Sequence, residues 1–362
     1  MVALELQAVN LEALYTKFAS YASPLAKYFT PLGATGPGNT ISYDILSYRR
    51  SMSPLTSYGA PATVGKMPTV GNVSYKAITT KQKMDLPLEI LRNARDAGSL
   101  NANERAHVAR AVIQVRMNIE RRLDWLRAQW LTGGAMLSSA GVAPVEPGGT
   151  AYLDVPSLSN STPLSVGLGY TASHIDAGAT ASWATNTTDI LADLDAARAK
   201  IALDSGIENA TRVICNSVVW NYVLRNKMVQ SSIEKANAIA ARGAMQGQLP
   251  VLFGYEWDVI DSYIPFDDET MATDTGGLGL FKLIPDNVVI ITTADNIRAG
   301  RILRECKPDD YNAADSDRGI YPWSDVQAEH PHQPSTGFTW TGGVECAVPD
   351  STYIYTDVTH TS

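Results

Sequence analysis

Glu329, His330 and His332 are the residues best suited by type to hold a metal ion, since imidazole and carboxylate are common ligands. Pro331 keeps the backbone between the two histidines extended, and no second His or Cys pair lies nearby. The segment therefore reads as a loop pair without metal. Gly59 to Lys66 has the outline of a phosphate loop. Five residues separate Gly59 from Gly65, however, and Met67 stands where Ser or Thr would meet magnesium. Asp315-Ser316-Asp317-Arg318-Gly319 looks like part of a calcium loop, but its glycine comes too early and no glutamate closes the site. Asp267, Asp268 and Glu269 beside Pro265 could pair for acid–base work; with no aromatic-walled cleft to face, they read as a charged loop tip. There is no Gly-x-Ser-x-Gly elbow. His107 falls inside a long helical pattern, where an exposed or satisfied histidine is expected. The expectation is no catalytic residue, no cofactor and no metal site.

Cys215, Cys306 and Cys346 are an odd, widely spaced set, which argues against a disulfide framework and for plain buried or half-buried thiols. Trp125, Trp130, Trp183, Trp220, Trp257, Trp323 and Trp340 are scattered through the chain, as core and interface anchors would be, and not gathered into a stacking platform for bases. The 362 residues are 45% hydrophobic and 18% charged, enough for two or more packed cores. No run approaches the roughly 20 apolar residues of a membrane span. The N-terminus lacks the basic start and apolar core of a secretory signal, so action in a cytoplasm or release by lysis is expected. The formal net charge of −8 is opposite to that of proteins that grip nucleic acid, where Lys and Arg neutralise phosphate.

The elements that must position these residues are dominated by one long helix. Val108, Val112, Val115, Ile119, Leu123, Leu126 and Trp130 step by three or four and predict a helix over 103–132, a rod of about 45 Å. Arg105, Arg110, Arg116, Arg121, Arg122 and Arg127 fall on its other faces, where pairing with carboxylates outweighs phosphate binding. Asn101 or Asn103 can cap its start and Gly133-Gly134 stops it. Ahead of it, Leu11, Leu14, Tyr15, Phe18 and Ala22 have helical spacing and are followed by a Pro/Gly-rich tether, which reads as an arm, the alternative being a helix packed on its own core. Residues 39–85 turn extended: Ile41, Tyr43 and Ile45 alternate, and a second β-like run covers Val73 to Thr79 across a long irregular tip. Such a hairpin is too polar to carry a core alone and needs a cover.

Beyond the rod, Ala135 to Asn186 is charge-poor, with Val166, Leu168 and Tyr170 alternating as in short strands. Thr187 or Thr188 is expected to cap a helix carrying Ile190, Leu194, Ala197 and Ile201, ended by Gly206. Arg212–Cys215 reads as a buried strand, and Asn216 or Ser217 caps a short helix through Val223. Ser231 or Ser232 is expected to start another, to about Ala241. Strands follow at 255–260 and 288–291, and late strands at 338–340 and 353–355 are expected to join an existing sheet. The alternation makes this part α/β or α+β.

Several short segments carry a resemblance. They are Arg122-Leu123-Asp124-Trp125 to Leu131-Thr132-Gly133, Trp183 with the Thr188-Asp189-Ile190 helix start, and Val213-Ile214-Cys215-Asn216 with Val219-Trp220 and Leu224-Arg225-Asn226. Ile284-Pro285-Asp286-Asn287-Val288 and Val348-Pro349-Asp350 complete the set. In order and spacing over nearly the whole chain they resemble the major capsid proteins of tailed bacteriophages, the phage lambda E-type family with the Hong Kong 97 capsid fold. That resemblance implies an α+β fold. Residues 1–38 would be an N-terminal arm and 39–85 an extended β-hairpin loop lying over a neighbour. Residues 86–188 would form a peripheral domain with its spine helix at 103–132, 189–291 an axial domain, and 292–362 a returning segment completing both. It implies a non-enzymatic subunit that self-assembles as hexamers and pentamers into an icosahedral shell around double-stranded DNA, without sequence-specific binding and without a membrane. It also implies a separate scaffolding protein, a portal and room for a decoration protein. No Lys/Asn pair can be assigned to a covalent cross-link.

An acidic subunit suits a DNA container, because strong attraction to phosphate would hold the genome against the wall. Two other readings stand beside this one. A bacterial encapsulin-type compartment shares the shell architecture but encloses enzymes. A cytosolic α/β enzyme with a dimerising hairpin would form a small oligomer with a deep cleft of paired titrating groups.

Overall fold

The computed structural model describes residues 23–31, 40–47, 69–76, 78–85, 102–132, 152–153, 164–165, 172–176, 181–235, 251–266, 279–293, 303–306, 320–326, 334–346 and 348–359. In chain order the strands are β1 (Phe29–Pro31), β2 (Thr40–Ser47), β3 (Thr69–Lys76), β4 (Ile78–Asp85), β5 (Tyr152–Leu153), β6 (Leu164–Ser165), β7 (Ile175–Asp176), β8 (Arg212–Cys215) and β9 (Val251–Leu252). They continue as β10 (Tyr255–Val259), β11 (Tyr263–Phe266), β12 (Gly279–Lys282), β13 (Val289–Thr292), β14 (Leu303–Cys306), β15 (Ile320–Val326), β16 (Pro334–Cys346) and β17 (Tyr353–Tyr355). The helices are α1 (Ala102–Leu131), α2 (Ile190–Ser205), α3 (Ser217–Arg225) and α4 (Lys227–Lys235). The chain divides into two compact units. The first comprises 1–41, 74–126 and 304–344; the second comprises 42–73, 127–303 and 345–362.

Helix α1 runs 30 residues, one position offset from the sequence expectation. Its stripe is buried: Val112, Val115, Ile119, Leu123 and Leu126 are nearly inaccessible. Asn103 lies inside its first turn, so it is not the residue that precedes the helix. Arg110 is exposed and Arg116 pairs with Glu120 at 3.0 Å, one turn on. Arg122 lies over the Trp125 ring, 4.4 Å from its centroid. Arg127 departs from the expected outer face: it is buried, together with Asp124, Trp125 and Ala128, because the end of the rod is enclosed on more than one side. Ser23 helps close it. Its hydroxyl donates to the Asp124 carboxylate and accepts the Ala26 amide at 3.0 Å.

In the first unit, β16 is the organising strand of a five-stranded sheet ordered β1-β14-β16-β15, with β4 also paired to β16. β15 and β4 flank it antiparallel, with Trp323 opposite Gly337 and Gln82 opposite Phe338. Phe338, Trp340 and Val344 are buried, and so are Thr339 and Thr341 on the alternate face. The run expected as a late addition is therefore a 13-residue central strand. β2 and β3, which fall mostly in the second unit, form a separate two-stranded ribbon, with Asn72 donating to Asp44 at 2.9 Å. The second β-like run is split between β3 and β4, and β4 is held by its own chain in the sheet. Alternation alone cannot distinguish one strand from two in succession.

The second unit is built on a six-stranded mixed sheet, β7-β17-β13-β8-β10-β9. β8 and β10 are parallel, joined by a crossover through α3 and α4, as parallel pairing demands. β13 inserts antiparallel between β8 and β17, so Tyr353–Tyr355 is an interior strand. Val213, Ile214, Cys215 and Val289–Ile291 are wholly buried. α2 lays Ile190, Leu194, Ala197 and Ile201 into the same core, with Trp183, Trp220 and Trp257. Each large aliphatic side chain of that stripe contributes about 1.5–3 kcal/mol by leaving water.

The caps show where local signals were read correctly and where they were not. Gly206 ends α2 in the left-handed region, φ 74°, as expected. Asn216 caps α3 through its side chain, accepting the Val219 amide at 3.0 Å. The start of α2 is corrected. Asp189 is the cap, accepting the Ala192 amide, because the Thr188 hydroxyl is committed to the Ser182 carbonyl at 2.6 Å. The start of α4 is corrected too, from Ser231 or Ser232 to Lys227. Asn226 precedes it and accepts the amides of Met228 and Val229 at 3.0 and 3.3 Å.

Candidate functional site

The loop segments singled out by residue type, at Gly59–Lys66, Asp267–Glu269, Asp315–Gly319 and Glu329–His332, lie outside the described residues, as do 1–22 and the expected strands at 166–170. Among the described residues no group of three or more His, Cys, Asp or Glu could hold a metal, and no helix is long and apolar enough to cross a membrane. Cys215 sits at the end of β8 with no exposure. Burial, with Asp261 and Asp258 nearby, pushes its thiol far above the ordinary range. It is a packed thiol and no nucleophile at neutral pH.

What the structure assembles instead are buried polar ties between segments distant in sequence. The Trp183 indole N–H donates to Asp193 at 2.8 Å, and the Trp183 amide donates to the Val358 carbonyl at 2.8 Å. The Tyr355 hydroxyl donates to the Asp193 carbonyl at 2.9 Å. These bonds bind the start of α2 to the last strand. Tyr353 reaches Asp176 at 3.0 Å and Tyr255 reaches Asp195 at 2.6 Å. Burial raises all three phenols well above their usual range, followed by the carboxylate partner for Tyr255 and Tyr353 and by the neighbouring Tyr353 and then Asp193 for Tyr355.

His174 is the tie that sequence reasoning missed. It is fully buried, with Nδ1 at 3.1 Å from the Thr352 carbonyl and Nε2 at 2.9 Å from Asp204. Lys200 holds the same carboxylate at 3.0 Å. Burial would raise the Asp204 pKa, but the bonds from Lys200 and His174 outweigh it and hold it below the ordinary value. A single histidine in a Gly/Ser/Thr/Ala-rich stretch carries no periodicity that could reveal this. Asn226 was missed as well. It is buried, and it donates to the Thr188 carbonyl at 2.7 Å while capping α4. The Asn between two short helices was a capping signal available in sequence.

All of these groups hold one segment against another. Their chemistry is positional, which is the demand on a subunit whose segments must keep a fixed geometry. Five large apolar side chains remain exposed on the described surface, Leu203, Met228, Phe253, Val259 and Tyr263.

This mixed helix-and-sheet architecture is that of a Hong Kong 97-type capsid protein. It superposes on a putative capsid protein of an Escherichia coli CFT073 prophage with a TM-score of 0.54 and 11% identity, over 98% of this chain and 96% of the other. A phage-related protein from Bordetella bronchiseptica RB50 gives 0.53 and 11%, over 98% of both chains. The mature capsid of bacteriophage PhiM1 gives 0.50 and 9%, over 93% and 87%. No curated protein matches in sequence. The chain belongs to the family of phage major capsid protein E, whose pattern it matches over residues 9–146 and 158–325. It is a structural, shell-forming capsid protein of the virion that associates with copies of itself.

Proposed function

We propose that the chain builds, as hexamers and pentamers, the icosahedral shell around the double-stranded DNA genome of a tailed phage, without enzymatic activity. The family match over most of the chain carries this reading. Full-length likeness in fold to a putative prophage capsid protein and to a phage-related protein supports it, and so does a net charge of −8, which keeps a container wall from trapping its phosphate-rich contents. Assembly takes place in the host cytoplasm and draws on a separate scaffolding protein and a portal, with a decoration protein as a further candidate partner.

Within that reading, residues 1–38 act as an arm and residues 39–85 as the extended loop that reaches a neighbour. α1 is the spine of the peripheral domain, and the six-stranded sheet forms the axial domain around the symmetry axes. A repeated heterologous contact closes rings and then a container, and many modest contacts per subunit act together through effective concentration. Electron microscopy of the full chain expressed with its head proteins tests the proposal: closed particles protecting DNA from nuclease are expected. Particles filled with protein cargo and no DNA would favour an encapsulin-type compartment. A discrete small oligomer would overturn the shell altogether.

A further inference from the structure

We propose that Phe253, at the tip of the β9–β10 hairpin, is a contact knob that inserts into a second copy of this chain. The inference rests on the self-assembly proposed above. β9 and β10 pair with Leu252 opposite Tyr255 and Val251 opposite Glu256, leaving Phe253 and Gly254 as a two-residue turn. Both have positive φ, 57° and 82°. That is the signature of a type I′ turn, whose first position is normally Gly, which has no Cβ to strain, or Asn or Asp, whose short polar side chains bond the local backbone. Gly254 fits; a Cβ added to it would meet nothing within 4 Å. Phe253 does not fit. It is the one non-glycine residue with positive φ among the described residues, and it is 39% exposed.

Within the subunit Phe253 stays about two-fifths exposed, so an aromatic there leaves part of its possible burial unrealised, while Asn would relieve the strain. Strain kept at one position points to a use for the side chain outside the fold of the subunit. The surroundings fit burial in an assembly. β9 is the terminal strand of the six-stranded order. Val251 to Tyr255, the strand and its turn, contains no charged residue, although sheet edges are ordinarily guarded by charge. The occupant is a second copy because the family is self-associating. A copy also exposes large apolar side chains, among them Leu203 at 74% exposure. An aromatic seated in such a surface supplies large contact area with few rotatable bonds.

The test compares the full-length wild-type chain with F253N and F253Y, reading thermal melting of unassembled subunits and particle yield by sedimentation and electron microscopy. F253N is expected to melt at a higher temperature than wild type, yet to lose about tenfold or more in association, the equivalent of about 1.4 kcal/mol. F253Y, which keeps the ring, is expected to assemble like wild type. F253N particles in wild-type yield, or a lower melting temperature for F253N, would overturn the inference while leaving the shell intact. Wild-type chains that form no particles would overturn the shell reading, and this inference with it.

Discussion

The indole nitrogen of Trp183 and the carboxylate of Asp193 meet at 2.8 Å inside the core of the second unit, both nearly inaccessible to solvent. A buried carboxylate is tolerated only when it is hydrogen-bonded. Asp193 also stands in the first turn of α2, where the helix dipole favours negative charge. Trp183→Phe is expected to cost about 2–4 kcal/mol, through lost volume and an unsatisfied acceptor. Asp193→Ala is expected to cost about 1–3 kcal/mol. The double variant should fall short of their sum in chemical denaturation. Strict additivity would show that the two side chains are not coupled.

Asn226→Ala removes three hydrogen bonds at the α3–α4 junction at once. The loss of a cap and of a buried tie to Thr188 predicts about 2 kcal/mol of destabilisation or more. Asn226→Asp, which keeps the acceptor but loses the donor, should retain the cap and lose the tie. Equal urea midpoints for wild type and Asn226→Ala would remove this residue from the structural account.

Val115 faces the core with no exposure. Val115→Asp places an unpaired carboxylate on the buried stripe of α1 and is expected to cost several kcal/mol. Unchanged thermal melting would show that the stripe is not packed.

The lowered pKa of Asp204 makes part of the stability acid-sensitive. A carboxyl whose folded pKa is depressed stabilises the fold above its unfolded pKa. That contribution is lost as the pH falls from the ordinary value of 3.8 through the lower folded one. Asp204→Asn should therefore flatten the acid limb of the stability curve below about pH 4 and lower stability at neutral pH. Parallel acid limbs for the two proteins would rule out this source.

Deleting residues 54–68, between β2 and β3, is expected to leave a folded subunit that no longer forms closed particles. Circular dichroism checks the fold, and electron microscopy checks assembly. Normal particles from the deletion would remove the loop from the assembly contacts.

The long helix, the buried strand at Arg212–Cys215, the α3 cap at Asn216 and the left-handed stop at Gly206 were legible because each depends on neighbours within a few residues. The family resemblance was legible for a related reason, since short motifs keep their order even where overall identity is low. The start of α2 was misread between Thr188 and Asp189, because the Thr188 hydroxyl has a tertiary commitment to Ser182. Arg127 was misplaced for the same kind of reason: helical periodicity assigns a face but does not say how much of the helix is enclosed.

The amino-acid order alone determined the long helix, the helix at 190–205, the buried strands near 212–215, 255–259 and 289–291 and the family the chain belongs to, because periodicity, caps and turn residues act through local sterics and local hydrogen bonds. Only the tertiary structure decided that Pro334–Cys346 is a central strand, that Tyr353–Tyr355 lies between β7 and β13, and that His174 joins Asp204 to Thr352. Those pairings close loops of tens to hundreds of residues. Their register is set by which hydrophobic faces and buried polar atoms satisfy one another across the fold, and no window of neighbouring residues contains that information.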